Sequence, residues 1–331
     1  MSKISPTVLV TGLGALIGQG IVEGLRADGR VRIIGLDKRY SSFGASLCDA
    51  YELKPDVEEG SDAYLTFWDS LVNRHKVDLV LPGISIDMYF LDAHRALFSD
   101  LGIAVGLNSP DLIRMTRDKF DFHHAMEDWG VPRIPTSVPK SWEHALTELG
   151  PPPLLLKPRR GEGSAGQARL RESKDFEYWT QSAGHDSWIM QKLVGTDDAE
   201  YTVGAFGLRD GAFLDKIIIM RRRLTRSGHT GHAEAMDHPV IEAASRRIMT
   251  QINAIGPTNL QFRLQGDVAY LLEINPRFSS SCSLRRAFGF NETSMSVDYY
   301  LYGQHPAIPA LRHGEAERYS ADHVTYAGAS L

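Results

Sequence analysis

The chain has 331 residues, of which 43% are hydrophobic and 23% charged, and its 41 acidic and 36 basic residues give a formal net charge of -5. This balance argues against nucleic acid as a partner, because a negative chain repels phosphate. Cys48 and Cys282 stand far apart and form no CxxC spacing, which argues against a disulfide framework and a zinc site. No apolar run approaches the roughly 18 residues of a membrane span, so we expect a soluble, cytoplasmic protein with no membrane partner.

The chain exceeds the length at which a single hydrophobic core stops growing, so two or three lobes with a cleft between them are expected. Residues 8–10 read as a short apolar strand, followed by a glycine-rich turn, a helix and a second strand that ends at Asp37. Further strands at residues 79–81 and 103–105, with helical patterns between them, extend this βαβ unit. Residues 1–108 are therefore predicted to form a Rossmann-like α/β domain.

The remainder of the chain is predicted to divide at residue 194 into two α+β lobes. Residues 109–194 combine helices, a strand at 154–157 and a glycine-rich run, which indicates a small lobe. Residues 195–331 are predicted to form a C-terminal lobe on an antiparallel sheet, followed by a tail on the surface. Its strand-like runs cover residues 201–208, 212–220, 259–264 and 268–275.

The last two of these strands place polar side chains on one face. With a three-residue loop at residues 265–267, alternate positions on both strands point the same way, while Leu272 and Ile274 point to the core. The shared face carries Gln261, Glu273, Asn275 and Arg277. Oxygen ligands of this kind suit Mg²⁺, with Mn²⁺ as an alternative, and an arginine offers a fork for phosphate. A sheet with a wet polar face and no metal remains open on spacing alone.

A second polar site follows the apolar strand at residues 154–157. Lys157 ends the strand, and a glycine-rich loop that contains Gly163 and Ser164 comes next. Glycines let backbone N–H groups approach phosphate, and the lysine adds a point charge for the same anion. The order of residues is not that of a Walker motif, and an exposed turn is the alternative.

Five blocks of this sequence, in order, resemble those of the ATP-grasp superfamily. The likeness is to the synthetase halves of the carbamoyl-phosphate synthetase large chain and to short stand-alone proteins similar to them, over residues 107–303. The blocks are residues 154–166, 190–195, 200–203, 259–262 and 273–277. The resemblance implies a Rossmann-like pre-ATP-grasp domain followed by a two-lobed ATP-grasp domain, with ATP and Mg²⁺ as cofactors.

The resemblance also implies a role for individual residues. Arg277 and Lys157 would be catalytic, with the arginine at the γ-phosphate or acyl phosphate, and Gln261, Glu273 and Asn275 would ligate the metal. The residues that would bind ATP are Lys119, Lys157, Gly163, Ser164, Gln191, Lys192, Val194 and Glu200, with Glu200 on the ribose. Gln191 stands where many relatives carry Glu, and residues 195–199 are longer than the usual exit from the hinge.

A basic, glycine-rich segment at residues 221–234 and a second basic run near residue 285 suggest where an anionic substrate binds. Relatives place their acceptor site in the first segment, whereas a solvated loop is the alternative. The second run is expected to begin a helix whose N-terminus faces the site. The predicted substrate residues are Arg222, His229, His232 and Arg285.

We therefore predict an ATP-grasp ligase that joins a carboxylic acid to an amine, or to a thiol, through an acyl phosphate and releases ADP and phosphate. The first turn, with Gly12, Gly14 and Gly18 before Asp37, resembles a dinucleotide fingerprint, so an NAD-dependent oxidoreductase is one alternative. A non-catalytic ATP-binding protein is another. A homodimer stays open, and the sequence does not identify the acid or the acceptor.

Overall fold

The computed structural model describes residues 5–161, 166–182 and 187–326. Within these residues the chain forms three β-sheets of five, four and six strands. No helix in this part of the chain is long and apolar enough to cross a membrane.

The first sheet is parallel, with strand order β3-β2-β1-β4-β5. Its strands are β1 Thr7–Thr11, β2 Arg32–Asp37, β3 Ala50–Leu53, β4 Leu79–Leu81 and β5 Ala104–Val105. The helices between them are α1 Leu16–Asp28, α2 Ser42–Ser46, α3 Asp62–His75, α4 Ser85–Ala93 and α5 Arg95–Asp100. The central strand β1 is buried along its whole length, as expected for a parallel sheet covered on both faces. The predicted Rossmann-like architecture is confirmed.

The second sheet is antiparallel, with strand order β6-β9-β7-β8. Its strands are β6 Thr136–Ser137, β7 Leu154–Pro158, β8 Ala168–Leu170 and β9 Trp188–Lys192. The helices of this region are α6 Pro110–Arg117, α7 Lys119–Ala125, α8 Trp142–Leu149 and α9 Ser173–Ser182. Leu154, Leu156, Trp188 and Met190 form a small core of their own with Phe176 of α9.

The third sheet is antiparallel, with strand order β14-β13-β10-β11-β12-β15. Its strands are β10 Glu200–Gly207, β11 Ile218–Leu224, β12 Thr230–Ala235, β13 Gly256–Gln265, β14 Val268–Asn275 and β15 Gly314–Glu317. Its helices are α10 Pro239–Gln251, α11 Cys282–Ala287 and α12 Glu292–Ser296, the last continuing into a π-helix at Val297–Leu301.

Two predicted features of this lobe are wrong. Residues 212–217 are not part of a strand, and β11 instead continues through residues 221–224, which the basic composition predicts to be a loop.

The tail contributes β15, which pairs with β12 and extends the sheet by one strand.

The helices α6 and α7 pack against the third sheet, although the sequence grouped them with the small lobe. Leu112 and Phe122 lie in the same hydrophobic core as Tyr201 and Leu260. Ser109 and Asp118 cap the two helices by accepting hydrogen bonds from backbone N–H groups of their first turns. The lobe boundaries after residues 108 and 194 stay predictions.

The C-terminal helices close against the first lobe at short range. A Cβ atom on Gly20 of α1 would lie 2.4 Å from the sulfur of Cys282, and one on Gly24 would lie 2.5 Å from Oγ1 of Thr293. Only glycine allows α1 to approach α11 and α12 this closely.

Candidate functional site

A cleft of about 550 Å³ lies where the first lobe and the two antiparallel sheets meet. Ser85 lines it from the first lobe, Lys157 and Gln191 from the four-stranded sheet, and Gln261 and Glu273 from the six-stranded sheet. Its volume is typical of a small-molecule site. The structure therefore brings residues from all three parts of the sequence to one cavity.

The polar face of the β13–β14 hairpin forms one wall of this cleft. Gln261 lies directly opposite Glu273, and Asn259 lies opposite Asn275, so these four side chains share a face. The turn has two residues rather than the expected three, because Gln265 pairs with Val268. The shared face that the sequence predicts is thus present, although the turn is one residue shorter than expected.

A β-bulge accounts for the difference. The register shifts between Gln261 and Phe262, which pairs with Leu271, so that Leu272 is left without a partner in the ladder. The prediction that Leu272 points to the core is wrong, because this residue is half-buried and lines the cleft. Leu271 occupies the core position instead, together with Ile274.

A buried lysine and a half-buried glutamate face each other across the cleft. Lys157 is only 5% exposed, and its burial lowers the pKa of the ammonium group to about 8, although Glu273 acts to raise it. Burial acts to raise the pKa of Glu273, but a hydrogen bond from Asn275 and the attraction of Lys157 hold it below the usual value. Both groups are therefore charged at neutral pH.

The oxygen atoms on the hairpin face are suited to a hard cation. Nδ2 of Asn275 donates to Glu273 at 2.9 Å, and Oε1 of Gln261 accepts from Nη2 of Arg222 at 2.6 Å. Each amide oxygen has two lone pairs, so one hydrogen bond leaves room for a metal ligand bond. The described residues contain no group of three or more His, Cys, Asp or Glu side chains that could hold a metal. A metal here would depend on amide oxygens beside one carboxylate, which fits Mg²⁺ better than a transition metal.

Arg277 connects the hairpin with the first lobe. Its Nε donates to Oγ of Ser85 at 2.7 Å, and its Nη2 donates to Oδ1 of Asn275 at 3.2 Å. These contacts fix the guanidinium between the proposed metal ligands and the wall formed by the start of α4. Ser85 was not singled out from the sequence, since a lone serine at the start of a helix is normally a cap.

The residues predicted to bind ATP come from the small sheet, from α7 and from β10, where the structure describes them. Gln191, Lys192 and Val194 line the cleft, and Nε2 of Gln191 donates to Oγ1 of Thr136 at 2.7 Å. Lys119 also lines the cleft, and its Nζ donates to the carbonyl of Gly161 at 2.7 Å. Two more residues predicted to bind ATP, Gly163 and Ser164, lie outside the described residues.

Glu200 is engaged in a buried network of two arginines. Its Oε1 accepts from Arg222 at 2.8 Å and its Oε2 from Arg263 at 2.9 Å, and Glu200 is only 4% exposed. A ribose hydroxyl would have to share these oxygens with two guanidinium groups. The ribose role therefore stays a prediction.

The four predicted substrate residues do not lie together. His229 lines the cleft from the turn between β11 and β12, and Arg222 lines it from β11 with a side chain held by Glu200. His232 lies on β12, outside the cleft lining, and faces Glu315 of the edge strand at 3.6 Å, so its substrate role stays a prediction.

Arg285 is misplaced by the sequence prediction. It is fully buried within α11 and pairs with Glu292 at 2.7 Å, so it has no exposed surface for a substrate. The expected helix is present as α11, which has six residues, and Arg285 lies inside it rather than at its start.

The glycine-rich first turn does not leave its acidic residue free. Oδ2 of Asp37 accepts from the backbone N–H of Gly14 at 2.8 Å, and Oδ1 accepts from the N–H of Lys38. In a dinucleotide site this carboxylate binds the ribose hydroxyls. A carboxylate has about four acceptor sites, so these bonds leave room for a ribose and do not decide on the NAD alternative.

Three comparisons place this geometry among known proteins. Residues 186–321 match a family described as "ATP-grasp in the biosynthetic pathway with Ter operon". The chain is 24% identical over 239 residues to the carbamoyl phosphate synthase large chain of Methanosarcina mazei, and the match covers 65% of this chain but 22% of that relative. The chain thus spans less than a quarter of the length of this curated relative.

Solved structures show the same fold. An N5-carboxyaminoimidazole ribonucleotide synthetase in complex with ADP superposes with a TM-score of 0.72 at 16% identity, covering 95% of this chain and 81% of that chain. The biotin carboxylase domain of the Hydrogenobacter thermophilus 2-oxoglutarate carboxylase, solved with MgADP and bicarbonate, gives 0.69 at 16% identity, covering 92% and 71%. The chain has the ATP-grasp fold, and its resemblance to the ATP-grasp superfamily is confirmed by sequence and by structure.

Proposed function

We propose that the chain is an ATP- and Mg²⁺-dependent ligase that joins a carboxylate to an amine, or to a thiol, through an acyl phosphate. The observation that carries this proposal is the convergence of Lys157, Glu273 and Arg277 in one cleft. A buried cation, an ionised carboxylate beside amide oxygens, and a fixed guanidinium are the groups that phosphoryl transfer from a nucleotide requires.

The cations of the cleft would stabilise the charge that develops during transfer. Lys157 is buried and Lys119 lines the same cleft, so both act on phosphate oxygens in surroundings of lower dielectric than water. When bound, Mg²⁺ would neutralise charge on the nucleotide phosphates, and Gln261, Glu273 and Asn275 are the residues that would hold it.

The chemistry proceeds in two steps that need no covalent bond to the protein. A carboxylate oxygen attacks the γ-phosphorus, the bond from that phosphorus to the β,γ-bridging oxygen breaks, and ADP leaves with the electron pair. The amine then attacks the acyl carbon, loses a proton, and releases phosphate. Arg277, whose Nε donates to Ser85, would orient the acid and bind the acyl phosphate.

The experiment is to incubate the protein with ATP, Mg²⁺, hydroxylamine and a panel of carboxylic acids, and to measure both ADP and hydroxamate. Hydroxylamine captures an acyl phosphate in place of the natural amine. We expect ADP and hydroxamate to appear together with the correct acid. AMP as the nucleotide product of an active reaction would rule out γ-phosphoryl transfer, and tight NAD binding without ATP binding would favour the oxidoreductase.

A pair of glutamate variants supplies the control. Glu273→Gln removes the carboxylate on the hairpin face of the cleft while keeping the size of the side chain. We expect turnover to fall at least about 100-fold, the scale of losing one key electrostatic group. Glu177→Gln makes the same change at an exposed position of α9 and should have no effect. Equal activity in both variants would remove Glu273 from the proposed site.

A further inference from the structure

Asn259 lies on the polar hairpin face, but the sequence prediction did not include it among the metal ligands. It stands two residues before Gln261 on β13, directly opposite Asn275, and it lines the cleft although only 1% of its surface is exposed. The question is which of its two polar atoms faces the ligand.

The carbonyl oxygen of Asn259 is taken up on the protein side. Oδ1 accepts from Oγ1 of Thr202 at 2.7 Å and also from Nη2 of Arg285. A guanidinium group can only donate hydrogen bonds, so the amide atom that faces it must be the oxygen. The NH₂ group of Asn259 has no hydrogen-bond partner within the described ranges, and it is the atom left for the cleft.

The group that fixes this orientation is itself rigidly held. Arg285 and Glu292 form an ion pair at 2.7 Å, and both side chains are fully buried. Arg285 Nη2 also donates to Oγ1 of Thr202 at 3.0 Å. A Cβ atom on Gly204 of β10 would lie 2.9 Å from Cζ of Arg285, so a larger residue there would displace the guanidinium.

Stability alone is a weak reason for such an ion pair. Burying two charges costs desolvation free energy, and well-packed apolar side chains of similar volume often stabilise a protein equally or better. The pair does have one specific effect, which is to hold the carbonyl oxygen of Asn259 away from the cleft.

We infer that Asn259 donates a hydrogen bond to an anionic oxygen on the terminal phosphates of the nucleotide, and that Arg285 and Glu292 are positioning residues for this donor. The inference rests on the proposed function and deepens it, because it adds a neutral hydrogen-bond donor to the hairpin face, beside its oxygen atoms and Arg277. A free NH₂ group suits a phosphate oxygen and cannot ligate a cation.

The decisive variant is Asn259→Asp, which keeps the shape of the side chain and replaces the donor with an acceptor. Binding of the non-hydrolysable ATP analogue AMP-PNP is measured by calorimetry, both with Mg²⁺ and in its absence. We expect the affinity to fall at least tenfold under both conditions, and Asn259→Ala to fall less. If Asn259 were a metal ligand, the aspartate would keep or tighten Mg²⁺-dependent binding, and that result would overturn the inference.

The positioning role is tested with a double variant, Arg285→Met with Glu292→Leu, which replaces both buried charges by apolar groups. A purely structural ion pair predicts wild-type affinity for AMP-PNP once the variant is folded. We expect instead a folded protein whose affinity for AMP-PNP falls toward that of Asn259→Ala. The affinity of Arg285→Lys should lie between those of the wild type and the double variant, because lysine can still donate a hydrogen bond to Asn259.

The two levels of the proposal fail differently. Wild-type protein that does not bind AMP-PNP would contradict the proposed function itself. If the wild type binds AMP-PNP and both Asn259→Asp and Asn259→Ala bind it as tightly as the wild type, only the inference about the donor is contradicted. Should the double variant not fold, the Asn259 variants still decide.

Discussion

The buried ammonium group of Lys157 is expected to make the folded protein less stable at neutral pH, so Lys157→Met should stabilise the fold while abolishing activity. The pKa falls from 10.5 to about 8 because of burial. This difference corresponds to about 3 kcal/mol, since each pKa unit is about 1.4 kcal/mol. This figure already includes the attraction of Glu273, which acts to raise the pKa of the lysine against the effect of burial.

The sign of the pH dependence follows from the same shift. Below about pH 8 the lysine is charged in both states, and the whole cost of burying it is present. Between about 8 and 10.5 the unfolded chain binds more protons than the folded one, so the stability of the wild type rises with pH. The advantage of Lys157→Met should therefore be largest near neutral pH and shrink as the pH approaches 10.5.

The assay is urea unfolding of both proteins at about pH 7 and at about pH 10, with the midpoint urea concentration and the m-value determined for each. Lys174→Met, at an exposed position of α9, is the matched control and should change stability by less than about 0.5 kcal/mol. A Lys157→Met protein that is less stable than wild type at neutral pH, or equally stabilised at both pH values, would refute the reasoning.

Three further predictions concern packing, ion pairs and nucleotide binding. Gly20→Ala should destabilise the protein by about 1–3 kcal/mol in thermal unfolding, because its Cβ would lie 2.4 Å from the sulfur of Cys282, and adding Cys282→Ala should restore most of the loss. Arg222→Met should lower the free energy of unfolding by about 3 kcal/mol, because it breaks a buried ion pair. Arg221→Met on the same strand removes an exposed ion pair and should lower it by less than about 1 kcal/mol. Equal losses of stability in the two variants would contradict the burial argument. Affinity for AMP-PNP should decrease as pH rises through about 8, where Lys157 loses its charge, and a flat profile in calorimetry would exclude a phosphate contact by this residue.

The shared face of the β13–β14 hairpin could be predicted because alternation along a strand is a local rule. The same rule places Asn259 on that face, two residues from Gln261, so this residue could have been found from the sequence. The bulge that leaves Leu272 unpaired was not predictable, because turn length and register depend on how the hairpin packs.

The errors on charged residues have a different origin. Arg285 was assigned to the substrate because its basic run was expected to begin a helix whose N-terminus faces the site. Its burial depends on Glu292, one helix later, and on Thr202 of β10, a partner 83 residues away in the chain. Glu200 shows the same limitation, since its two arginine partners come from different strands. Pairings at this distance along the chain are tertiary information that a single sequence does not provide.

The close contact of α1 with the C-terminal helices limits how the cleft can open. Gly20 and Gly24 lie one helical turn apart, and each touches its neighbour too closely for one surface to slide past the other. The first lobe and the six-stranded sheet should therefore move together as one rigid body. The four-stranded sheet has a separate hydrophobic core and can rotate as a rigid body relative to them without breaking that contact. Nucleotide entry would then be controlled by the residues that connect the small sheet to the rest of the chain, and not by the contact of α1 with α11 and α12 at the two glycines.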